Sequence, residues 1–316
     1  MTNASHHPAS TAKKSIGFAN LAVLIEWYDF GLYTVFSIYL YQIFFPTIRA
    51  DVSGLLMMFV YWLGYLGRVI GGCVFSRFAD TSGRKSTFII SSSVMTISTL
   101  LLLLIPTHGE PSIIISISFI VIRLLQGLAL GIEYPGGMVY IYEHAKSGQQ
   151  FPSLLRSSFF SQLGGLIGVA SGLLLSHLFT HAEIIQYAWR LPYAFAFLSG
   201  ILLFLMRFFA HETPAFIQQS RHQSSFSYAS IVKRFFGGFL GLFLMMIAME
   251  GMVKFISMGN LYFNRYFDIP LKKLFFISTI SFFTTMSFTL LLSFYLSNTK
   301  RITASLVGLS IFLVIG

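Results

Sequence analysis

Hydrophobic residues of this chain are concentrated in long runs that are separated by short polar stretches. Segments such as 99–105 are apolar on every side, which predicts membrane helices and not strands of alternating polarity. Each complete run holds about 20 residues or more, enough to cross a hydrocarbon layer of roughly 30 Å. The predicted spans are 16–45, 53–79, 87–106, 112–144, 156–180, 190–210, 235–259 and 272–297, with an unfinished ninth run from about 303.

The composition indicates a bilayer as the solvent of these segments. Hydrophobic residues make up 55% of the chain, only 10% of residues are charged, and the mean hydropathy is +0.74. A soluble core of this size cannot bury that much apolar surface, so we expect an all-α, polytopic membrane protein. The single cysteine, Cys73, lies in an apolar stretch and cannot form an internal disulfide. We therefore expect no redox chemistry. A metal site is not expected either.

Lysine and arginine are distributed unevenly between the two ends of the predicted spans. The N-terminal tail and the even-numbered connections contain thirteen of them, Arg207 included, against five on the opposite side. Because cytoplasmic loops are enriched in these residues, we expect a cytoplasmic N-terminus. The membrane is expected to be a bacterial inner membrane. The net charge of +10 then reflects topology, and no aromatic-interleaved basic domain suggests nucleic-acid binding.

A long polar connection divides the chain. We expect a cytoplasmic tail (1–15), a bundle of six helices (16–210), a cytoplasmic linker (211–234) and a partial second bundle (235–316). Two helical bundles joined by a linker are typical of transporters that rock two halves about a central site. The ninth run is too short to span a bilayer, so we expect a sequence that is truncated at its C-terminal end.

Two carboxylates lie inside the first predicted span, in the segment EWYDFGLY (26–33). Glu26 and Asp29 share a helix face near mid-depth, with Tyr33 a further turn along. A central acid costs at least ~2.5 kcal/mol on insertion scales, so these groups should face a cavity or a cationic partner. Neighbouring carboxylates in a low dielectric cannot easily both ionise, which makes the pair a candidate proton acceptor. The alternative is a structural ion pair or hydrogen bonding to neighbouring helices.

The fourth span supplies a counter-charge in RLLQGLALGIEY (123–134). Arg123, Gln126, Leu130 and Glu133 fall within a stripe of about 80° on a helix of 3.6 residues per turn, so they should face the same interior. A guanidinium can bind a carboxylate through two hydrogen bonds, which makes Arg123 a candidate anchor for an anionic substrate. The alternative role is a lock on Glu26 or Asp29.

A short charged connection, FADTSGRKS (78–86), follows the second span. Its Asp80, Gly83, Arg84 and Lys85 have two interpretations. They are either a consequence of the positive-inside rule, or they bind helix ends of the other half and hold one conformation closed.

Two further patterns lie in later spans. Glu250 and Lys254 form an i, i+4 pair in the seventh span, which is either a local salt bridge or part of a cavity lining in the second half. Gly164, Gly168 and Gly172 make successive small-residue steps in the fifth span, which predicts close helix packing.

Several short motifs occur in an order that resembles the major facilitator superfamily. The D-x-x-G-R-K sequence between the second and third spans is similar to the signature loop of that superfamily. The other motifs are EWYDFGLY (26–33), FFP (44–46), GRVIGG (67–72), RLLQG (123–127), EY (133–134), EH (143–144), WRLP (189–192) and ETPAF (212–216). From residue 16 to about 220 they resemble the metabolite:proton symporter branch, which includes proline/betaine, α-ketoglutarate and shikimate transporters. The resemblance implies a two-bundle fold of twelve helices.

The resemblance also implies residue roles. By matched position, the substrate or coupling cavity would contain Glu26, Asp29, Arg123 and Glu133, and a cytoplasmic gate would contain Asp80, Gly83, Arg84 and Lys85. The chain departs from the family pattern at Ser76, Thr81, Ile132 and Pro135. The proline is expected to kink the fourth helix. The matching loop of the second half, LSNTKRI, has no glycine.

Three functional hypotheses follow. The first is a proton-coupled symporter of a small organic acid or zwitterionic metabolite, monomeric in the lipid bilayer, driven by the proton gradient and without a cofactor. Its candidate substrate and proton-coupling residues are Glu26, Asp29, Tyr33, Arg123, Gln126 and Glu133. The second is a truncated, non-transporting remnant with a partner-binding role or none. The third, a membrane enzyme, has little support because no HExxH, GxSxG or P-loop motif occurs.

Overall fold

The computed structural model describes residues 9–46, 50–107, 112–146, 148–209, 212 and 267–297 of the chain. Its helices are α1 (Ala9–Phe44), α2 (Ala50–Ser82), α3 (Arg84–Leu104), α4 (Ile113–His144), α5 (Gln150–Leu178), α6 (His181–Glu183), α7 (Arg190–Phe208) and α8 (Leu271–Ser297). Within these ranges, six stretches of helix are long and apolar enough to cross a membrane. The predicted all-α membrane fold is therefore confirmed.

The helices extend beyond the predicted spans. α1 begins at Ala9 and α5 at Gln150, where spans were predicted from residues 16 and 156. Hydropathy marks only the part of a helix that crosses the hydrocarbon, whereas a polar first turn can continue the same helix into the interface. The segment 9–15, predicted as part of the tail, is consequently the first two turns of α1.

The sixth membrane segment begins earlier than predicted and is not uniform. Thr180 and Glu183 form a capping box that starts α6, and a π-helical turn, Ile184–Ala188, then connects α6 to α7. The Trp189 amide donates to the Ile184 carbonyl at 3.2 Å, and this bond between residues five positions apart is the one that defines a π turn. The Thr-x-x-Glu spacing is a sequence signal for a helix start that the hydropathy pattern did not contain.

Several predictions concern residues outside the described ranges. These are the seventh span (235–259) with Glu250 and Lys254, the ninth run, and the linker 211–234 apart from Glu212. The eighth predicted span, 272–297, corresponds to α8.

α1 occupies the centre of the helix packing. It contacts α4, α5 and α7, while α3 packs between α4 and α7, α2 packs on α4, and α8 packs on α5. Aromatic side chains fill the end of the bundle nearest the C-terminus of α1. There the Phe44 and Phe119 rings stack at 4.1 Å, and Trp189 meets Phe44 edge-on at 5.7 Å. The polar side chains of α1 are therefore enclosed by helices from several sides.

Glycines allow the closest helix contacts. α2 and α4 touch through their backbones, because a Cβ atom on Gly127 would collide with the Gly64 carbonyl oxygen and one on Gly131 with the Arg68 carbonyl oxygen. On α5, a Cβ on Gly168 would lie 3.6 Å from the carbonyl oxygen of Tyr28 in α1. The predicted close packing of the fifth span is thus confirmed, and the α2–α4 contact brings Arg68 next to the site described below.

Candidate functional site

The six site residues predicted from the sequence lie together in the interior. Their exposed fractions are 4% or less: Glu26 2%, Asp29 4%, Tyr33 0%, Arg123 2%, Gln126 1% and Glu133 1%. Leu130, the fourth member of the α4 stripe, is also buried. The predicted polar stripe of α4 therefore does face the same interior as the carboxylates of α1.

The first charge cluster, which we call the Arg207 triad, joins three helices. Arg207 of α7 donates from Nη2 to Oε1 of Glu133 in α4 at 2.9 Å, and the same nitrogen lies 3.6 Å from Oε1 of Glu26 in α1. The Arg207 guanidinium also lies 4.2 Å above the Phe88 ring. Neither Glu26 oxygen has a hydrogen-bond partner within the described part of the chain. One cation thus faces two carboxylates, of which Glu26 is the less well compensated.

The second cluster, which we call the Asp29 relay, connects α1, α3 and α4. Arg123 Nη1 donates to Gln126 Oε1 at 2.7 Å, the Gln126 amide donates to Thr99 Oγ1 at 3.1 Å, and Thr99 lies 3.0 Å from Asp29 Oδ2. The Arg123 guanidinium stacks 4.0 Å above the Tyr33 ring. A chain of hydrogen bonds through Gln126 and Thr99 therefore connects Arg123 to Asp29.

One predicted role of Arg123 needs correction. A direct lock on Glu26 or Asp29 was one of its two alternatives, but among the described residues no carboxylate lies within 4 Å of its guanidinium. Arg207 takes the ion pair with Glu26 instead. The sequence placed Arg207 among the topology-determining cations because it lies close to the end of its span, whereas the structure buries it at 5% exposure.

A third arginine, Arg68 of α2, lies beside the same cluster. Its guanidinium carbon is 4.5 Å from the Phe30 ring centre, 4.9 Å from Tyr65 and 6.0 Å from Trp27. Such cation–π contacts are worth about 0.5–2 kcal/mol each. The Phe30 ring also has Arg123 at 5.9 Å, so the two guanidinium groups share one ring.

The charges of the interior balance. Three acids and three arginines lie in the central part of the first bundle: Glu26, Asp29, Glu133, Arg68, Arg123 and Arg207. Each such charge costs about 2.5–3.5 kcal/mol at the centre of a helix on insertion scales, so mutual compensation is required. Any further charge that enters this interior, from a solute or a proton, must alter that balance.

Thr99 and Arg207 are site residues that the sequence analysis missed. Thr99 carries no charge, and its buried position on α3 follows only from the packing of α3 against α4 and α7. Arg207 did give a signal, since it interrupts the apolar run LLFLM–FF of the sixth span. A lone cation inside an apolar run is a site candidate by default.

The charged connection after α2 forms a separate cluster, which we call the turn cluster: Arg84, Lys85, Glu143 and Glu212. Arg84 binds Glu143 of α4 through two hydrogen bonds of 3.0 and 2.8 Å. The Glu212 carboxylate accepts the backbone amides of Arg84 and Lys85, each at 3.1 Å, so it caps the N-terminus of α3. Gly83 precedes this cap at φ 91°, a conformation that favours glycine.

The turn cluster answers part of the gate prediction. One interpretation had these residues bind helix ends of the other half, whereas in the described part of the chain Lys85 binds the end of α7, where its Nζ donates to the Phe208 carbonyl at 2.7 Å. α7 belongs to the first bundle and not to the second half. The Asp80 side chain lies outside the described residues, although its backbone is in α2. Glu143 and Glu212 come from the EH and ETPAF motifs, which the sequence analysis quoted without assigning them a role.

Ionisable residues buried inside membrane-spanning helices are typical of the pathways of membrane transporters. The chain belongs to the sugar (and other) transporter family, whose model matches residues 18–299. The family is one of transporters and not of enzymes, as predicted.

Curated relatives are transporters of bacteria. The proline/betaine transporter of Escherichia coli (strain K12) is 29% identical over 206 residues, which cover 65% of this chain and 41% of that protein. The glycine betaine/proline/ectoine/pipecolic acid transporter OusA of Dickeya dadantii is 30% identical over the same shares. A putative proline/betaine transporter of Staphylococcus aureus (strain COL) is 30% identical over 215 residues, or 45% of its length. The chain thus spans less than half the length of these relatives.

Solved structures show the same fold. The xylose transporter XylE from E. coli, in a partially occluded inward-open conformation, superposes with a TM-score of 0.71 at 15% identity, over 90% of this chain and 70% of XylE. A D-xylose-proton symporter gives a TM-score of 0.69 at 17% identity, over 88% and 67% of the two chains. The major facilitator fold is therefore confirmed, and the chain is a multi-pass membrane protein.

Proposed function

We propose that the protein takes part in proton-coupled symport of a small organic acid or zwitterion. The observation that carries this proposal is the Arg207 triad, where one guanidinium faces two buried carboxylates. Arg207 is the cation in direct contact with these two acids among the described residues, so if both are ionised the contact itself carries an excess negative charge, which a low-dielectric interior makes unfavourable. A proton on one acid removes it, so the triad is suited to take up and release a proton.

Glu26 is the best placed of the three acids to carry this proton. Both of its oxygens lack a hydrogen-bond partner among the described residues, and its distance to Arg207 is 0.7 Å longer than that of Glu133, 3.6 against 2.9 Å. Asp29 differs, because Thr99 donates to one of its oxygens and connects it to Arg123. We assign proton transfer to Glu26. The Asp29 relay is assigned a response to the change of charge when a solute or a proton enters the interior.

The relatives support the class of solute. The names of three of them include proline and betaine, which carry a carboxylate and a cationic nitrogen. An interior with three arginines, three acids and several aromatic rings has groups for both ends of such a molecule.

The turn cluster is proposed to act as the cytoplasmic gate. Arg84, Glu143 and Glu212 fasten the start of α3 to α4 and to the segment after α7, so three helix ends move as one unit while these bonds hold. A cytoplasmic gate requires that the N-terminus is cytoplasmic, which we also propose. We propose further that the membrane is a bacterial inner membrane and that the protein acts as a monomer.

The test is gradient-driven uptake of radiolabelled proline and glycine betaine into proteoliposomes that contain the full chain. With an inward proton gradient, we expect the wild type to accumulate solute above the external concentration. Glu26→Gln should equilibrate the solute without accumulating it, since a neutral residue cannot release a proton. Asp29→Asn should lower the rate, and the exposed Arg156→Gln is the matched control that changes neither.

Each result decides between the hypotheses. Full accumulation by Glu26→Gln would exclude Glu26 as the proton carrier. Wild-type protein that is correctly inserted but takes up no solute, with or without a gradient, would favour the non-transporting alternative.

A further inference from the structure

Arg68 occupies an unusual position for an arginine. It lies in the middle of the apolar stretch Phe59–Ser76 of α2, far from either helix end. Gly67 and Gly71 on either side of it press α2 against α4, so the backbone at this point is fixed. A long flexible side chain near a helix end can reach the membrane surface, but a mid-span arginine cannot do so easily. Its charge must therefore be used or compensated locally.

The surroundings of Arg68 compensate the charge only in part. Its Nε is buried without a hydrogen-bond partner, and no hydrogen bond or ion pair of its guanidinium occurs among the described residues. The aromatic rings of Phe30, Tyr65 and Trp27 stabilise the positive charge through their faces. Ring faces orient the guanidinium but leave its in-plane N–H donors available, and those donors match a carboxylate.

The other two arginines of the interior are already engaged. Arg207 holds Glu133 and Glu26. Arg123 donates to Gln126 and stacks on the fully buried Tyr33. Arg68, by contrast, is only partly buried. Nε has no hydrogen-bond partner in any of the three, but Arg68 is the one whose guanidinium makes neither a hydrogen bond nor an ion pair within the described residues, so all of its donors can face an incoming anion.

We propose that Arg68 binds the carboxylate of the transported solute, with Phe30, Tyr65 and Trp27 holding its guanidinium in position. This inference rests on the proposed transport function, whose site it specifies. It moves the anion anchor from Arg123, the sequence-based candidate, to the α1–α2 side of the interior.

The position of Arg68 also couples the solute to the proton. The Arg68 guanidinium lies 6.0 Å from the ring centre of Trp27 and 4.5 Å from that of Phe30, which are one and four positions after Glu26 on α1, so its charge lies on the α1 turn that carries Glu26. Within the described ranges, the other charged groups around Glu26 are Glu133 from α4, Arg207 from α7 and Asp29 on α1 itself, while α3 faces it with Ser92 and Thr99. A carboxylate on Arg68 cancels positive charge near Glu26 and so favours its protonated form. By linkage, a proton on Glu26 strengthens carboxylate binding by the same factor.

The test is equilibrium binding of radiolabelled glycine betaine to the purified full chain in lipid nanodiscs. We expect saturable binding that unlabelled glycine betaine displaces and choline does not, because choline has the same cationic head but no carboxylate. Arg68→Gln should weaken binding at least tenfold, and Arg68→Lys should retain part of the affinity. The exposed Arg156→Gln should bind as the wild type does. Monodisperse elution of each variant establishes that it is folded.

A second measurement in the same preparation tests the coupling. Wild-type affinity should be higher at acidic than at alkaline pH, and Glu26→Gln should remove that dependence. Equal affinity of Arg68→Gln and wild type, displacement by choline as effective as by glycine betaine, or no wild-type binding at all would each overturn the assignment of Arg68. Uptake that fails while binding remains dependent on Arg68 would instead overturn transport and leave the anion site in place.

Discussion

At the scale of single residues, Arg207 is the cation that compensates the buried acids most directly. It is buried and provides the cation within 4 Å of both Glu26 and Glu133 in the described part of the chain. Removing one member of a buried ion pair leaves a charge without compensation, which is far more unfavourable than removing the whole pair. Arg207 is therefore both a structural and a functional residue, and the two roles can be separated by substitution.

Arg207→Gln is predicted to destabilise the protein strongly. The change leaves two buried carboxylates without their cation, and the loss for a broken buried pair is about 3–5 kcal/mol. We expect a clear fall in Tm, measured in detergent by the fluorescence of the native tryptophans. The double variant Arg207→Gln with Glu133→Gln removes one of the uncompensated acids, so it should regain part of the lost Tm. A single variant that melts with the wild type would show that Arg207 does not compensate these acids.

The sequence predicts which site residues lie together on one helix, but not which residues of different helices meet. The stripe of Arg123, Gln126 and Glu133 was predictable because the period of one helix fixes which of its residues share a face. The partners across helices were not, since the rotation of α7 relative to α1 and α4 is set by packing and not by the sequence of α7. Arg207 and Thr99 belong to that second kind.

At the scale of helices, the α2–α4 contact is the most sensitive to added volume. Gly64 and Gly127 meet backbone to backbone, and Gly131 meets the Arg68 carbonyl. A methyl group at these positions would have to separate two helices along their length, because backbone atoms cannot rotate away as a side chain can. The same contact fixes the height of Arg68 in the bundle.

Gly127→Ala is predicted to lower stability. Overpacking typically costs about 1–3 kcal/mol, which exceeds the roughly 0.5–1 kcal/mol that alanine gains over glycine in a helix. Gly17→Ala is the matched control, since a Cβ atom at Gly17 of α1 would meet nothing within 4 Å. We expect Gly127→Ala to lower Tm, and Gly17→Ala to leave Tm unchanged or raise it. Equal Tm values for the two variants would contradict the close approach of α2 and α4.

The number and order of helices were largely predictable, and their ends were not. A run of apolar residues as long as a bilayer identified α1 to α5 and α7, because lipid permits few other structures. The helix ends depend instead on hydrogen bonds between individual side chains and the backbone, which hydropathy does not record. The capping box at Thr180 and the cap of α3 by Glu212 are examples, and the second of these joins residues more than a hundred positions apart.

At the scale of the whole molecule, orientation in the membrane connects the site to the direction of transport. The prediction of a cytoplasmic N-terminus rests on the distribution of lysine and arginine. Moving the buried Arg207 out of that distribution still leaves more than twice as many cations on the predicted cytoplasmic side as on the other. The turn cluster between α2 and α3 would then lie at the cytoplasmic end, where a gate for inward release is required.

Cysteine labelling on the two ends of α5 tests this orientation. In a Cys73→Ser background, the exposed positions Gln149 and Ala182 are replaced one at a time by cysteine, and intact bacterial cells are treated with a membrane-impermeant maleimide. Because the single spanning helix α5 separates the two positions, only one should react from outside. We expect Ala182→Cys to be labelled in intact cells, and Gln149→Cys only after lysis. The reverse pattern would place the turn cluster outside the cell, where it could gate entry but not inward release, and labelling of both in intact cells would contradict the crossing of α5.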